Sequence, residues 1–330
     1  MSRRLGLCLF VLAVLAAAPV ASADGPGGGL AVQGSGNGAL SPGGGVRYFA
    51  VGAGNYTVVE AVRTTDGRLQ NWTVYPGSWG LPAITLNGKG LFGGVSTDGR
   101  TLVLGSTGVG SPSKFLILDA RTFRTLHRLV LKGSFAFDAL SPNGSRLYLI
   151  QHTSINDLTH YVVRGYDLHT DRLLPGRIAD KTQKTWVMQG YPMARVTSAG
   201  GRWVYTLYQN PGGYPFVHAL DTVRGVAHCT GLPFSGDQSA LSNALLSLRD
   251  GGRTLFLHWK SGLPWLTVDT ATWRITLPSS TGAAPAGGFP WRWVIGVGGA
   301  LVLALALAAA AARSRRFGYS LSSSAWKSWL

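Results

Sequence analysis

The sequence is short of charge, of cysteine and of acid. Charged residues fill 13% of 330 positions, about half the usual share for a globular chain, which excludes a charge-driven disordered protein. Two cysteines, Cys8 and Cys229, exclude a disulfide-knit mini-protein and a cysteine-built metal cage. Glutamate occurs once, at Glu60, and arginine outnumbers lysine 23 to 7. There is no His-Glu-x-x-His, Gly-x-Ser-x-Gly, phosphate-binding glycine loop or EF-hand spacing, so zinc-hydrolase, serine-hydrolase, nucleotide and calcium chemistry have no motif to stand on. Most of the 14 acids fall in turns or surface loops, which supplies paired carboxylates for glycoside hydrolysis poorly. No cofactor and no metal are expected.

Apolar residues and turn formers are abundant instead. With 45% hydrophobic residues, 46 Gly and 16 Pro, the composition suits many short strands joined by tight turns rather than long helices.

The two ends of the chain carry an address. Arg3 and Arg4 precede an apolar run from Leu5 to Ala18, and Ala21-Ser22-Ala23 has the small-x-small pattern of a signal-peptidase site. Cleavage after Ala23 removes Cys8 and leaves Cys229 alone, a buried small residue by expectation. Val294 to Ala312 is an unbroken apolar or Gly run; as a helix it covers roughly 28 Å of hydrocarbon. Trp291 and Trp293 stand before it and Arg313, Arg315 and Arg316 follow, an aromatic belt on one side and a positive-inside signal on the other. The expected layout is a signal peptide over 1–23, a Gly-rich segment over 24–35, an ectodomain over 36–278, a linker over 279–290, a transmembrane helix over 291–312 and a basic cytoplasmic tail over 313–330. The protein is thereby expected in the plasma membrane as a single-pass chain, its body outside and its tail in the cytoplasm. Leu277-Pro278-Ser279-Ser280-Thr281-Gly282, ahead of the span and its arginines, resembles a sortase sorting signal, with two residues where that family has one between Pro and Thr.

Once signal and anchor residues are removed, 23 basic residues face 14 acids, so the ectodomain is about +9. Its basic residues are scattered singly, without the aromatic interleaving of a nucleic-acid groove. Nucleic acid is not an expected partner; the membrane, an envelope polysaccharide or another surface protein is.

The ectodomain repeats with a period near fifty. A turn and an apolar run recur at Arg47 before Tyr48 to Val51, Arg100 before Thr101 to Leu104, Arg146 before Leu147 to Ile150, Arg202 before Trp203 to Leu207 and Arg253 before Thr254 to Leu257, the arginines lying 53, 46, 56 and 51 apart. A second element recurs at Asp119, Asp167, Asp221 and Asp269, spaced 48, 54 and 48; in the first unit Arg63-Thr64-Thr65-Asp66-Gly67 takes its slot. Asp there closes the turn by accepting backbone N–H groups two residues on. Leu102-Val103-Leu104 and Leu147-Tyr148-Leu149-Ile150 are apolar at consecutive positions, so both faces of these strands need cover. Further strands are expected at Phe135 to Leu140, Met193 to Thr197, Leu245 to Leu248, Thr125 to Leu131 and Trp273 to Leu277, which makes four per unit.

Four short antiparallel strands per repeat define an all-β chain, a β-propeller of about five blades, with an open β-solenoid as the alternative. Ser141-Pro142-Asn143-Gly144-Ser145-Arg146-Leu147-Tyr148 and Val268-Asp269-Thr270-Ala271-Thr272 resemble the YVTN/WD40-like surface propeller repeats. In such a ring Leu30-Ala31-Val32-Gln33 is expected to pair with the last blade and close it.

Six residues after the turn arginines lie Ser106, His152, Tyr208 and Trp259. With His160 and Trp265 from neighbouring loops, His152, Tyr208 and Trp259 form the expected ligand-binding rim, aromatic and imidazole rings for stacking on sugars or holding a peptide; aromatic side chains capping the packing between blades are the alternative. His152, Asp157 and His160 could together hold a metal, but isolated histidines in loops are ordinarily polar surface residues, and no metal is expected. The expected function is a tethered binding or scaffolding module, and the alternative is a propeller hydrolase or lyase acting on extracellular carbohydrate.

Overall fold

A computed structural model describes residues 29–85, 91–107, 110–182 and 188–278. The expected signal peptide, linker, transmembrane helix and tail lie outside the described residues. Among the described residues no helix is long and apolar enough to cross a membrane.

Every described regular element is a strand or a short 3-10 turn. A short strand β1 (Leu30–Val32) comes first. Sheet I follows with β2 (Gly34–Leu40), β3 (Val46–Ala53), β4 (Tyr56–Arg63) and β5 (Leu69–Pro76). Sheet II holds β6 (Trp79–Thr85), β7 (Leu91–Phe92), β8 (Thr101–Ser106), β9 (Ser113–Asp119) and β10 (Thr125–Leu131). Sheet III holds β11 (Phe135–Leu140), β12 (Arg146–His152), β13 (His160–Asp167) and β14 (Arg172–Leu173), with β15 (Met188–Gln189) on the start of β13. Sheet IV is β16 (Tyr191–Thr197), β17 (Trp203–Gln209), β18 (Phe216–Asp221) and β19 (Val226–Gly231), and sheet V is β20 (Ala244–Arg249), β21 (Thr254–Trp259), β22 (Pro264–Asp269) and β23 (Ile275–Thr276). Five antiparallel sheets thus coincide with the five sequence repeats.

The repeat has a hydrogen-bonded cause. Asp119 Oδ1 accepts from the backbone N–H of Arg121 and Thr122, and Asp167, Asp221 and Asp269 do the same for the residues two and three positions on. Those bonds hold the Asp119, Asp167 and Asp269 carboxyls below the usual carboxylate range. Four residues after each Asp the backbone turns left-handed, at Phe123, Asp171, Gly225 and Trp273, with φ between 54° and 68°. Side chains there are strained, yet Phe123 is buried and Trp273 stacks on His228 at 4.3 Å. A second device escaped the sequence reading. Ser41, Ser96, Ser141 and Ser198 each accept, through Oγ, the N–H five residues on, bracing the turn before the second strand.

Hydrophobic clusters join I to II, II to III, III to IV and IV to V. The apolar runs explain the stack as expected. Leu102 and Leu104 pack toward sheet I while Val103, between them, packs toward sheet III, all at 0% exposure. Among the described residues no hydrophobic cluster joins V to I.

Two features depart from a plain closed ring. First, β1 does not pair with the last sheet; it pairs antiparallel with β6, Leu30 opposite Ala83 and Val32 opposite Leu81. The cause is that β6 leaves β8 after Trp79 and Gly80, freeing its edge, while β8 takes its next partners from Gly94 and Val95. The departing strand β6 touches β2, β11 and β16, so it and β1 occupy the middle of the array. Gly29 is required there: its φ is 81° and a Cβ would sit 1.8 Å from the Phe137 carbonyl oxygen. Second, among the described residues sheets I and V each have hydrophobic packing on one face only.

Candidate functional site

The expected rim is packed into the interior. Tyr208 is 1% exposed and stacks on Phe216 at 5.1 Å; Trp259 is 1% exposed and stacks on Trp265 at 5.3 Å. Trp265 and His152 are also buried, the latter edge-on to Tyr161. The equivalent position six residues past each turn arginine falls on the second strand, and in stacked sheets that strand is covered. These four rings therefore join the inter-sheet packing and offer no face for stacking. Burial lowers the His152 pKa and raises that of Tyr208. Only His160 stands at the surface, its Nδ1 2.6 Å from Asp157 Oδ2, and the structure does not bring it together with the others as a rim. Among the described residues no three His, Cys, Asp or Glu side chains converge as metal ligands.

A buried polar seam lies between sheets III and IV. Asp138 on β11 is ion-paired to Arg195 on β16, both buried, and Arg195 Nε also donates to Thr206 Oγ1 at 2.8 Å. Beside them His218 Nδ1 lies 3.3 Å from Cys229 Sγ. The resemblance to a nucleophile and its base is only spatial. Burial lowers His218 to about 4 and pushes Cys229 up to about 12, so at neutral pH the pair is an imidazole and a thiol, with neither ion formed. Asp180 Oδ2 accepts from the Cys229 N–H at 2.9 Å and lies 3.0 Å from His228 Nδ1, tying the segment after β14 onto β19. The seam fastens two sheets.

The surface carrying unused binding capacity is the free face of sheet I. Cross-strand register puts Phe49 beside Glu60 and Trp72, Val51 beside Val58 and Val74, and Tyr56 beside Pro76, with Val62 next to Leu69 after a bulge. The alternate residues Tyr48, Ala50, Val59, Ala61 and Tyr75 face sheet II and are buried. On the free side Trp72 is 58% exposed, Tyr56 53%, Leu69 47% and Val74 44%. Sheet V ends differently. Its β21 alternates, with Leu255, Leu257 and Trp259 inward and Thr254, Phe256 and His258 outward. Outside, Phe256 stacks on His258 at 5.0 Å, and the Arg249 guanidinium lies 3.4 Å from the Phe256 ring centre. Period-two patterning foretells the sheet V face; in sheet I the consecutive apolar residues of Val58-Val59 and Phe49-Ala50-Val51 were the available signal, the pattern of a strand covered on both faces.

No family model matches the sequence, and no curated protein matches it. Solved structures with a similar arrangement include TolB from Acinetobacter baumannii (15% identity over 74% of this chain and 54% of that one, TM-score 0.40). BamB from Moraxella catarrhalis has 18% identity over 76% and 67%, TM-score 0.42. The Swd1 beta-propeller domain of Myceliophteria thermophila has 11% identity over 79% and 68%, TM-score 0.38. This chain spans about half the length of the TolB chain it resembles. At these scores the likenesses do not bear on what the chain binds. Its own strand order defines the class: an all-β protein of five antiparallel, propeller-like sheets.

Proposed function

We propose that the chain is a binding or scaffolding module held at the outer face of the plasma membrane by one C-terminal span, and that it takes a protein partner on the free face of sheet I. The location is supported by the basic-apolar start with its Ala21-Ser22-Ala23 site and by the Val294 to Ala312 run followed by three arginines. The carrying observation for binding is the side-by-side exposure of Tyr56, Leu69, Trp72 and Val74 on one sheet face. Contiguous apolar exposure of this kind marks protein interfaces, and Trp and Tyr are the residues that anchor them. A polysaccharide fits less well, because apart from Glu60 beside Trp72 the exposed surface there is mostly apolar, with Leu69 and Val74, and offers few of the hydrogen-bonding groups that fix sugar hydroxyls. The test is a photo-crosslinking amino acid in place of Trp72, with the full chain in its native membrane. Illumination is expected to give a protein adduct, while the same residue in place of the exposed Ile155 gives none. Absence of an adduct at 72 overturns the reading.

A further inference from the structure

We infer that the partner on sheet I is a second copy of this chain, presenting the free face of its sheet V, so that the stack continues head to tail from one molecule to the next. This rests on the reading of sheet I as the binding face and names its occupant. Three observations carry it.

The first is directional. Each of the four interfaces inside the chain joins the trailing face of one sheet to the leading face of the next. Sheet I is left with a leading face and sheet V with a trailing face. Every leading face covered inside the chain, on sheets II to V, is covered by a trailing face, and a second copy supplies one. Head-to-tail contacts of this kind are heterologous and extend from copy to copy unless they close into a ring.

The second is composition. Both strands β3 and β4 are apolar on two faces, as in β8, β9 and β12, whose two faces are both covered. A free face built like a buried one fits another sheet better than water.

The third is charge. Glu60, the chain's single glutamate, sits in the middle of the sheet I face beside Trp72 and Phe49 with no ion pair among the described residues. The sheet V face presents Arg249 and His258. At the turn end, Arg47 on sheet I finds a counterpart in Asp269 on sheet V.

The test uses full-length chain in detergent with Cys8→Ser, because Cys229 is buried and its thiol protonated. One preparation carries Val74→Cys and a second, differently tagged, carries Thr267→Cys; a short bismaleimide is the probe. The expected result is a mixed adduct of two chains when both are present and none from either alone, falling at least tenfold when Trp72→Arg is added to the Val74→Cys chain with its thermal unfolding unchanged. An adduct from Val74→Cys alone means like faces pair and overturns the inference. So does a cross-link within one chain carrying both cysteines, which means the ring closes on itself, and so does no adduct at all. If the photo-crosslinker at 72 captures a different protein while these cross-links fail, the binding face stands and only its occupant is wrong; if both fail, the binding face falls as well.

Discussion

Sheets II, III and IV differ from sheets I and V in one respect, the number of faces covered, and most of the molecule's chemistry follows from it. In the interior sheets the central strands are buried on both faces, and polar side chains there pair within the fold: Asp138 with Arg195, His218 with Cys229, and Asp221 with the half-exposed Arg202. In the end sheets the same repeat leaves half of its side chains in water, and the outward residues are free to be chosen for contact with something else. The repeat fixes where a residue sits; its neighbours decide whether it holds the fold or faces a partner.

The sharpest way to break this comparison is to strip a charge from the interior. Arg195→Ala leaves Asp138 buried without its cation, and such losses cost about 3–5 kcal/mol. Urea unfolding followed by fluorescence measures it; a loss below about 1 kcal/mol makes the seam a bystander. Next comes a cavity. Leu104 is wholly buried between sheets I and II, and Leu104→Ala is expected to cost about 3 kcal/mol in the same assay.

Acid acts on the interior through His218. Asp138, Arg195 and Asp180 face it, and burial is the main cause of its lowered pKa of about 4, against about 6.5 in the unfolded chain. The unfolded state therefore takes up the proton first. This contribution is fully present above pH 6.5 and lost as pH falls toward 4, by up to about 3 kcal/mol. Stability measured between pH 7 and pH 4 tests it: His218→Gln is expected to flatten that slope, and an unchanged slope refutes the assignment.

Asp221 and Asp269 hold the same turn in an interior and an end sheet. Asp221 is 0% exposed and also binds Arg202 through Nε and Nη2, so Asp221→Ala is expected to cost about 1–3 kcal/mol. Asp269 is exposed and keeps only its local hydrogen bonds, so Asp269→Ala is expected to lower the melting temperature less. Equal shifts would mean that burial adds nothing to the turn.

The same contrast explains what was legible in the sequence. The five sheets were readable because the turns are local: Asp119 and its equivalents bind residues two and three positions away, and the spacing of those aspartates is printed in the chain. Consecutive apolar residues in Leu102 to Leu104 announced two covered faces. What no local pattern announces is which sheet neighbours which. Leu30 to Val32 reads as a short apolar strand wherever it goes; its place on β6 depends on that strand leaving β8 some fifty residues later. For the same reason Tyr208 and Trp259 read as rim residues: their positions in the repeat were right, but whether a strand end lies in the open depends on the sheet packed over it.

The smallest effect tests the free face itself. Val74 and Trp72 lie on sheet I as Leu104 lies on sheet II, one strand of a repeat facing a neighbour, but here 44% and 58% of the side chain is exposed. If that face were part of the fold's own packing, Val74→Ala would cost as a core truncation does. With water on that side, the change is expected to stay within about 0.5 kcal/mol for dilute, monomeric protein. Repeating the unfolding at a hundredfold higher protein concentration separates the two roles. Binding to the native state adds stability that grows with partner concentration, so the unmodified chain is expected to gain a higher urea midpoint when concentrated, while Val74→Ala gains less and Trp72→Arg gains nothing. A midpoint independent of concentration for all three chains would leave sheet I exposed but unpartnered by its own kind, and would make its apolar face a cost borne for some other protein.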